Sequence, residues 1–229
     1  WRIMDPYQAS LSIDIIAAVR EAVGPHVDVL VEGHSRFSPA VAIQHAERMA
    51  PNQPTWFEEP VHHLHIGAMV EVARHSPVPI ATGESLTSPH QFAELLAYNA
   101  VSILQPEMHH LGGLLPTKKV CGMVDAFYGV VAPHNAQGPI STALCLHLAA
   151  STPNFFIQEI FDEFNVEWES DLVDHSTHVI DGWIEIPDRP GLGVRLDLDE
   201  CRKHPYQPTY FLPLFKSGWE KRDQQEEIG

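Results

Sequence analysis

Short apolar runs alternate with longer amphipathic stretches along most of this chain. Six of these runs lack the polar–apolar alternation of half-exposed strands, so they are typical of strands that are buried on both faces. They cover residues 27–34, 55–60, 78–84, 101–107, 128–134 and 155–159. Because helical stretches separate them, the pattern predicts a parallel α/β fold.

The stretches between these runs predict helices that often begin at or near a proline, a residue well tolerated in the first helical turn. The predicted helices cover residues 10–23, 39–49, 66–75, 89–98, 114–127 and 139–150. The repeating unit ends near residue 160, and a hairpin over 178–187 and a turn over 191–193 are predicted beyond it. We therefore expect a barrel domain over residues 1–190 and a C-terminal extension over 191–229 that packs on it or on a capping domain.

Each predicted strand ends at a polar residue whose side chain could bind a metal ion or transfer a proton. These residues are Glu32, Glu58, Glu84, Glu107, His134 and Glu159, and successive members lie 26, 26, 23, 27 and 25 positions apart. In a barrel, the carboxyl ends of all strands open onto one face, where active sites are built. An open sheet would instead spread the six side chains along a line, so their shared period favours a barrel.

Crowded carboxylates need protonation, a paired charge or a cation. No Lys or Arg lies within three positions of Glu32, Glu58 or Glu84 in the sequence, and oxygen ligands select hard cations such as Mg²⁺. Taken singly, each glutamate could be a loop residue or a helix cap. Glu107 could cap the next helix, and His134 could be a core histidine.

Other polar residues lie off this register and are given no catalytic role. We interpret two as structural glutamates and five as loop histidines, and a zinc site built from the first three histidines is a weak alternative. They are Glu59, Glu94, His62, His63, His65, His109 and His110.

Composition narrows the function classes. A formal net charge of −16 argues against nucleic-acid binding. The sequence has no run of about 18 apolar residues, so we expect no membrane-spanning helix. Three widely separated cysteines cannot all be paired with one another, so we expect no disulfide framework and a cytoplasmic protein. The glycine motifs of dinucleotide and P-loop sites and the serine-hydrolase elbow are missing from the sequence.

Four motifs resemble the mandelate racemase branch of the enolase superfamily, and within it the galactonate-type acid-sugar dehydratases. They are WFEEP (56–60), ATGES (81–85), QPEMHHLGG (105–113) and APHNAQGPIS (132–141). The resemblance covers about residues 10–225. It implies a TIM-like (β/α)7β barrel that acts on a small-molecule sugar acid, and we also expect a homo-oligomer.

The resemblance also implies a role for each strand-end residue. Glu32, Glu58 and Glu84 correspond to the three Mg²⁺ ligands of the family. His134, oriented by Glu107, corresponds to the base that removes the C2 proton to give an enediolate. By the same comparison, His34 would be the acid that protonates the departing 3-hydroxyl, yielding a 2-keto-3-deoxy acid. Glu159 would bind the substrate carboxylate.

The chain departs from the family pattern at several points. Glu32 and Glu107 stand where the family more often has Asp. The N-terminal capping domain and the first two barrel strands, one of which often carries a catalytic Lys, have no counterpart, so we expect a fragment with about six strands. Two alternatives stay open, namely a racemase or epimerase of a 2-hydroxy acid and a catalytically inactive remnant or binding module.

Overall fold

Five short parallel strands form one sheet in the computed structural model, which describes residues 3–161 and 166–206. The strands are β1 (Leu30–Glu32), β2 (Trp56–Glu58), β3 (Ile80–Thr82), β4 (Ile103–Leu104) and β5 (Val130–Val131). Their spatial order is the sequence order, β1-β2-β3-β4-β5. A doubly wound sheet would reverse its order at a switch point, whereas a barrel winds in one direction as observed here. The predicted TIM-like barrel portion is therefore confirmed.

The predicted sixth strand is shorter than expected. Val131 and Phe155 form a single parallel bridge, and the Phe156 N–H donates to the Val131 carbonyl at 2.9 Å. Beyond this point the side chain of Gln158, not a backbone N–H, donates to the Pro133 carbonyl at 2.9 Å. A regular ladder over residues 155–159 is therefore not formed.

Eight α-helices lie in the described residues. They are α1 (Pro6–Val23), α2 (Pro39–Met49), α3 (Ile66–His75), α4 (Pro89–Ala97), α5 (Met108–Leu111), α6 (Leu114–Ala126), α7 (Pro139–Ala150) and α8 (Leu198–Lys203). The predicted starts at residues 39, 89 and 139 coincide with Pro residues in the first helical turn.

Helix α1 begins four residues earlier than predicted. The Asp5 carboxylate accepts the backbone N–H groups of Tyr7 and Gln8 at 2.9 and 3.0 Å, and Pro6 occupies the first helical position. An N-cap of this kind satisfies donors that the helix itself leaves unpaired. Capping chemistry therefore sets the start of α1, ahead of the amphipathic pattern that predicted it.

Helix α5 corrects the interpretation of residues 109 and 110 as loop residues. Glu107 caps this four-residue helix, and Gly112 ends it with a left-handed φ of 87°. Gly113, with φ 112°, then precedes α6. Because side-chain-bearing residues adopt these conformations only with strain, the two glycines allow two helices to follow each other without a strand between them.

Two apolar clusters lie on the two faces of the sheet. The larger one contains outward-facing strand residues such as Phe57 and Ile80, together with the inner faces of the helices. The smaller one lies inside the curved sheet and comprises Trp56, Ala81, Ile103 and Ala132. Glu58 shares the face of Trp56 because residues two apart on a strand point the same way, so the strand carries this carboxylate to the inner face.

The chain beyond the repeating units is mostly irregular. A 3-10 helix spans Glu167–Leu172, and Val173 pairs with Leu196 across the proposed domain boundary at residue 190. The predicted hairpin is a tight turn closed by the Ile180–Trp183 bridge. The boundary itself stays a prediction, and residues 207–229 of the predicted extension lie outside the described residues. No helix in the described part of the chain is long and apolar enough to span a membrane.

Candidate functional site

Three carboxylates meet at the carboxyl ends of the first three strands. Glu32 and Glu58 are the last residues of β1 and β2 and are register partners, and Glu84 lies two residues beyond β3. One oxygen from each side chain lies within 4.8 Å of the other two. Parallel strands that end at one level bring together residues that are far apart in sequence. The expected convergence on one point is therefore observed.

The carboxylates of this cluster destabilise one another's charged forms. Enclosure of its carboxylate, with Glu58 and Glu84 close by, raises the pKa of Glu32 to about 9, although the side chain is 44% exposed. Burial also raises the pKa of Glu84 to about 7, partly opposed by His134. A divalent cation would remove this repulsion, and carboxylate oxygens are ligands that suit hard cations such as Mg²⁺. The residues present therefore fit the metal that the sequence suggested.

Neighbouring donors orient two of these carboxylates. The indole N–H of Trp56, which is 2% exposed, donates to Glu58 Oε2 at 2.9 Å. The backbone N–H of His34 donates to Glu32 Oε1. Hydrogen bonds of this kind commonly fix the orientation of metal-binding side chains. In each case the contact holds one carboxylate oxygen and leaves the other without that constraint.

Glu107 and His134 form a hydrogen-bonded pair beside this cluster. Glu107 Oε2 lies 2.8 Å from His134 Nδ1, and the other ring nitrogen, Nε2, lies 3.5 Å from Glu84 Oε2. Burial alone would lower the pKa of His134, but the Glu107 hydrogen bond and the charges of Glu159 and Glu84 raise it to about 9. For Glu107 the directions are reversed. Burial alone would raise its pKa, but the hydrogen bonds from His134 and His109 lower it to about 2. Glu107 is therefore both a helix cap and the partner of His134.

Glu159 lies near the same ring nitrogen of His134 as Glu84 does. Its Oε2 accepts the backbone N–H of Asn135 at 3.0 Å and lies 3.9 Å from His134 Nε2. Burial raises the pKa of Glu159, while the Asn135 hydrogen bond and His134 oppose the rise. Its side chain is 37% exposed. The carboxylate is thus held near the histidine and still partly open to a ligand.

His34 lies at the rim of the site. Its side chain is 48% exposed, and its Nδ1 lies 3.7 Å from Glu32 Oε1. His34 and Ser35 both have left-handed backbone conformations, with φ values of 49° and 60°. Such conformations are strained for residues with side chains and are frequent at functional sites. The structure therefore places His34 next to the carboxylate cluster, on a tightly bent loop.

Glu59 has a larger part in the site than the sequence indicated. It is fully buried. Its Oε1 accepts the Thr82 hydroxyl at 2.5 Å and the Gly83 N–H at 2.9 Å, and its Oε2 accepts the Ser35 hydroxyl at 3.2 Å. Glu59 therefore ties the loop that carries His34 to the segment that leads to Glu84. The doubled glutamate in WFEEP was the available signal, with one residue facing inward and the next outward.

Replacing Glu59 with Ala is expected to lower the free energy of unfolding by about 3–4 kcal/mol, because it leaves the buried Gly83 N–H and Thr82 hydroxyl without their acceptor. Glu59→Gln keeps an acceptor oxygen and should cost only about 1 kcal/mol. Urea unfolding of the chain measures both changes. The exposed Glu94→Ala is the matched control, expected within about 0.5 kcal/mol of wild type. Equal losses in Glu59→Ala and Glu94→Ala would contradict this role.

The histidines at 62, 63 and 65 do not form a metal site with one another. The rings of His62 and His63 stack with centroids 4.4 Å apart, and His65 Nδ1 accepts the Ala68 N–H at 2.9 Å to cap α3. Within the described residues, the three glutamates are the only group of potential ligands that is close enough to hold one ion. The zinc alternative therefore has no support in the structure.

Comparisons with known proteins agree with this geometry. The family model described as enolase C-terminal domain-like matches residues 4–200. The D-gluconate dehydratase of Thermoproteus tenax is 34% identical over 196 residues, which are 86% of this chain and 39% of that protein. The D-gluconate/D-galactonate dehydratase of Picrophilus torridus is 33% identical over 187 residues, 81% of this chain and 47% of that protein. The chain thus spans less than half the length of these two curated relatives.

Solved structures give the same result for the fold. The mandelate racemase/muconate lactonizing enzyme from Jannaschia sp. CCS1 superimposes with a TM-score of 0.83 at 35% sequence identity. The match covers 90% of this chain and 52% of that chain. The family model, the sugar-acid dehydratase relatives and the superimposed barrel together show that this chain belongs to the enolase superfamily, as a C-terminal barrel domain of the mandelate racemase/muconate lactonizing enzyme type.

Proposed function

We propose that the protein is a Mg²⁺-dependent dehydratase of a sugar acid, converting an aldonate to a 2-keto-3-deoxy acid. One observation carries the proposal: a three-carboxylate cluster stands 3.5 Å from the Nε2 of a histidine whose other nitrogen is held by a buried glutamate. This pairing joins a site for a hard cation to a candidate proton acceptor. The sugar-acid dehydratase relatives support this substrate class.

Glu32, Glu58 and Glu84 would hold the metal. When bound, Mg²⁺ supplies positive charge that stabilises the negative charge developing on the substrate carboxylate as the C2 proton leaves. The protein's own contribution at this point is orientation. The Trp56 indole N–H holds one oxygen of Glu58, and the His34 backbone N–H holds one oxygen of Glu32.

In this proposal His134 removes the C2 proton through Nε2. Its Nδ1 is bonded to the Glu107 carboxylate, which can only accept, so Nδ1 carries the hydrogen. In the neutral ring Nε2 is then the nitrogen that can take up a proton, and a cation held by Glu84 would favour this neutral form by offsetting one of the charges that raise the pKa of His134. Glu107 also stabilises the imidazolium that results. Both side chains are largely buried, which limits competition from water.

His34 and Glu159 complete the proposed chemistry. His34 would donate a proton to the 3-hydroxyl as it leaves as water, and its place on the exposed rim lets it regain a proton from solvent. Glu159 would accept a hydrogen bond from the substrate. The raised pKa of Glu159, caused by burial, is consistent with a carboxyl group that shares a proton with a bound acid.

The direct test is turnover of a panel of aldonic acids, with and without EDTA, by the natural protein, meaning the protein as the cell makes it. We expect a 2-keto-3-deoxy product that depends on Mg²⁺ and is lost with EDTA. Formation of an epimer without loss of water would replace this proposal with the racemase alternative. Absence of both turnover and C2 hydrogen exchange across the panel would refute an enzymatic role on this substrate class.

A further inference from the structure

The second oxygen of the Glu107 carboxylate has a partner that the proposed chemistry does not use. Oε2 is bonded to His134, whereas Oε1 lies 2.9 Å from both the backbone nitrogen and the ring Nδ1 of His109. We infer that His109 is a positioning residue that fixes the Glu107 carboxylate for its hydrogen bond to His134. The inference rests on the proposed function only for its catalytic consequence.

Geometry makes this contact specific. Oε1 and Oε2 belong to one planar carboxylate, so two donors on Oε1 set the direction in which Oε2 points. The Glu107 side chain is 1% exposed, and without the His109 ring the hydrogen bond from the His109 backbone N–H would be the one left on Oε1 among the described residues. A glutamate also has one more rotatable bond than an aspartate. The hydrogen bond from the His109 ring therefore restricts more side-chain freedom at Glu107 than it would at an aspartate.

The His109 ring is not needed to fill the core, because its side chain is 46% exposed. The Glu107 carboxylate can only accept, so His109 Nδ1 carries the hydrogen in this bond. The hydroxyl of Ser141, at the start of α7, lies 3.5 Å from the same nitrogen and limits movement of the ring on that side. These contacts favour a directional role for His109 over a packing role.

Three variants separate the ring donor from general structural effects. His109→Ala removes the ring donor and keeps the backbone N–H. His109→Asn restores a side-chain N–H at the distance of Nδ1 from the backbone, whereas His109→Gln places its amide one carbon further out. His75→Ala is the matched control. His75 is an exposed histidine at the end of α3, and among the described residues its ring is hydrogen-bonded to the Glu71 carbonyl of its own helix.

The measurement is the NMR signal of the His134 Nδ1–H in ¹⁵N-histidine-labelled chain at fixed pH, assigned by its loss in His134→Asn. We expect His109→Ala to increase exchange of this hydrogen with water about tenfold, since one hydrogen bond to a charged group is removed. His109→Asn should restore the wild-type rate, and His75→Ala should not change it. If His109→Ala does not fold, the comparison of His109→Asn with His109→Gln decides. We expect the His134 Nδ1–H to exchange slowly in His109→Asn and fast in His109→Gln.

Wild-type exchange rates in both His109→Ala and His109→Gln would overturn the inference, and so would an absent Nδ1–H signal in wild type. In the natural protein, His109→Ala should lower kcat about tenfold with little change in KM, and His109→Asn should recover it. The NMR result does not depend on turnover. A protein without dehydratase activity would therefore refute the proposed function and leave the positioning role to be judged by exchange alone.

Discussion

Replacing His134 with Asn in the natural protein is expected to abolish both dehydration and exchange of the substrate C2 hydrogen with deuterated solvent. An asparagine amide can still donate to Glu107 from near the position of Nδ1, but it has no atom at Nε2, which lies 3.5 Å from Glu84. The change therefore removes the proposed proton acceptor and leaves its support in place. A general base contributes about 10²–10⁴-fold, so kcat/KM should fall by that factor.

His34→Asn provides the comparison for this experiment. If His34 acts only on the departing hydroxyl, its loss should stop dehydration while C2 exchange continues, because the metal ligands and His134 remain. His75→Asn changes an exposed histidine on α3 and should leave both rates unchanged. Wild-type exchange in His134→Asn would move the base to another residue. A raised KM with unchanged kcat would indicate that the histidine only binds substrate.

Glu58→Gln is expected to eliminate the stabilisation of the chain by Mg²⁺. A ligand present at 100 times its dissociation constant adds about 2.7 kcal/mol to the free energy of unfolding. For a chain of this size that corresponds to a rise in Tm of roughly 5–10 °C. Thermal unfolding at pH 7.5 with and without Mg²⁺ measures the effect. Because the substituted amide lacks the charge that attracts the cation, the variant should show almost no rise.

Glu94→Gln is the matched control for this measurement. It makes the same change in charge on the exposed side of α4, away from the cluster, and should keep the full response to Mg²⁺. The metal-free Glu58→Gln variant should also be at least as stable as metal-free wild type, because one source of repulsion is removed. An equal Mg²⁺ response in wild type and Glu58→Gln would exclude this cluster as the metal site.

The sequence was sufficient for features that depend on period and on strand direction. The repeat of about 26 residues predicted parallel strands, and strand ends that share one edge predicted that Glu32, Glu58 and Glu84 would converge. The Glu107–His134 contact was expected from the resemblance to the mandelate racemase branch, which pairs an acid on the fourth strand seen here with a histidine on the fifth. The observed boundaries of α2, α3 and α7 also match the predicted ones. The signals that set them, namely the apolar period and a first-turn proline or a capping residue, all lie within or next to the helix itself.

The tertiary structure alone decided the features that depend on contacts between distant segments. Glu59 was interpreted only as structural from sequence, because its donors lie 23 and 24 residues away in both chain directions. His109 was assigned to a loop because α5 has four residues, too few to show a helical period. The sixth strand ends early, and the Gln158 side chain donates to the carbonyl of Pro133, 25 residues away, that a ladder bond would have used.

The sequence by itself therefore determined which residues reach the mouth of the barrel, since strand period and direction are local properties of the chain. Only the tertiary structure decided how those residues are held. Whether Trp56 holds Glu58, Glu59 joins two loops or His109 anchors Glu107 depends on where separate segments pack and which side-chain atoms face one another. Hydrogen bonds act over about 3 Å, a precision that residue spacing along a chain does not specify.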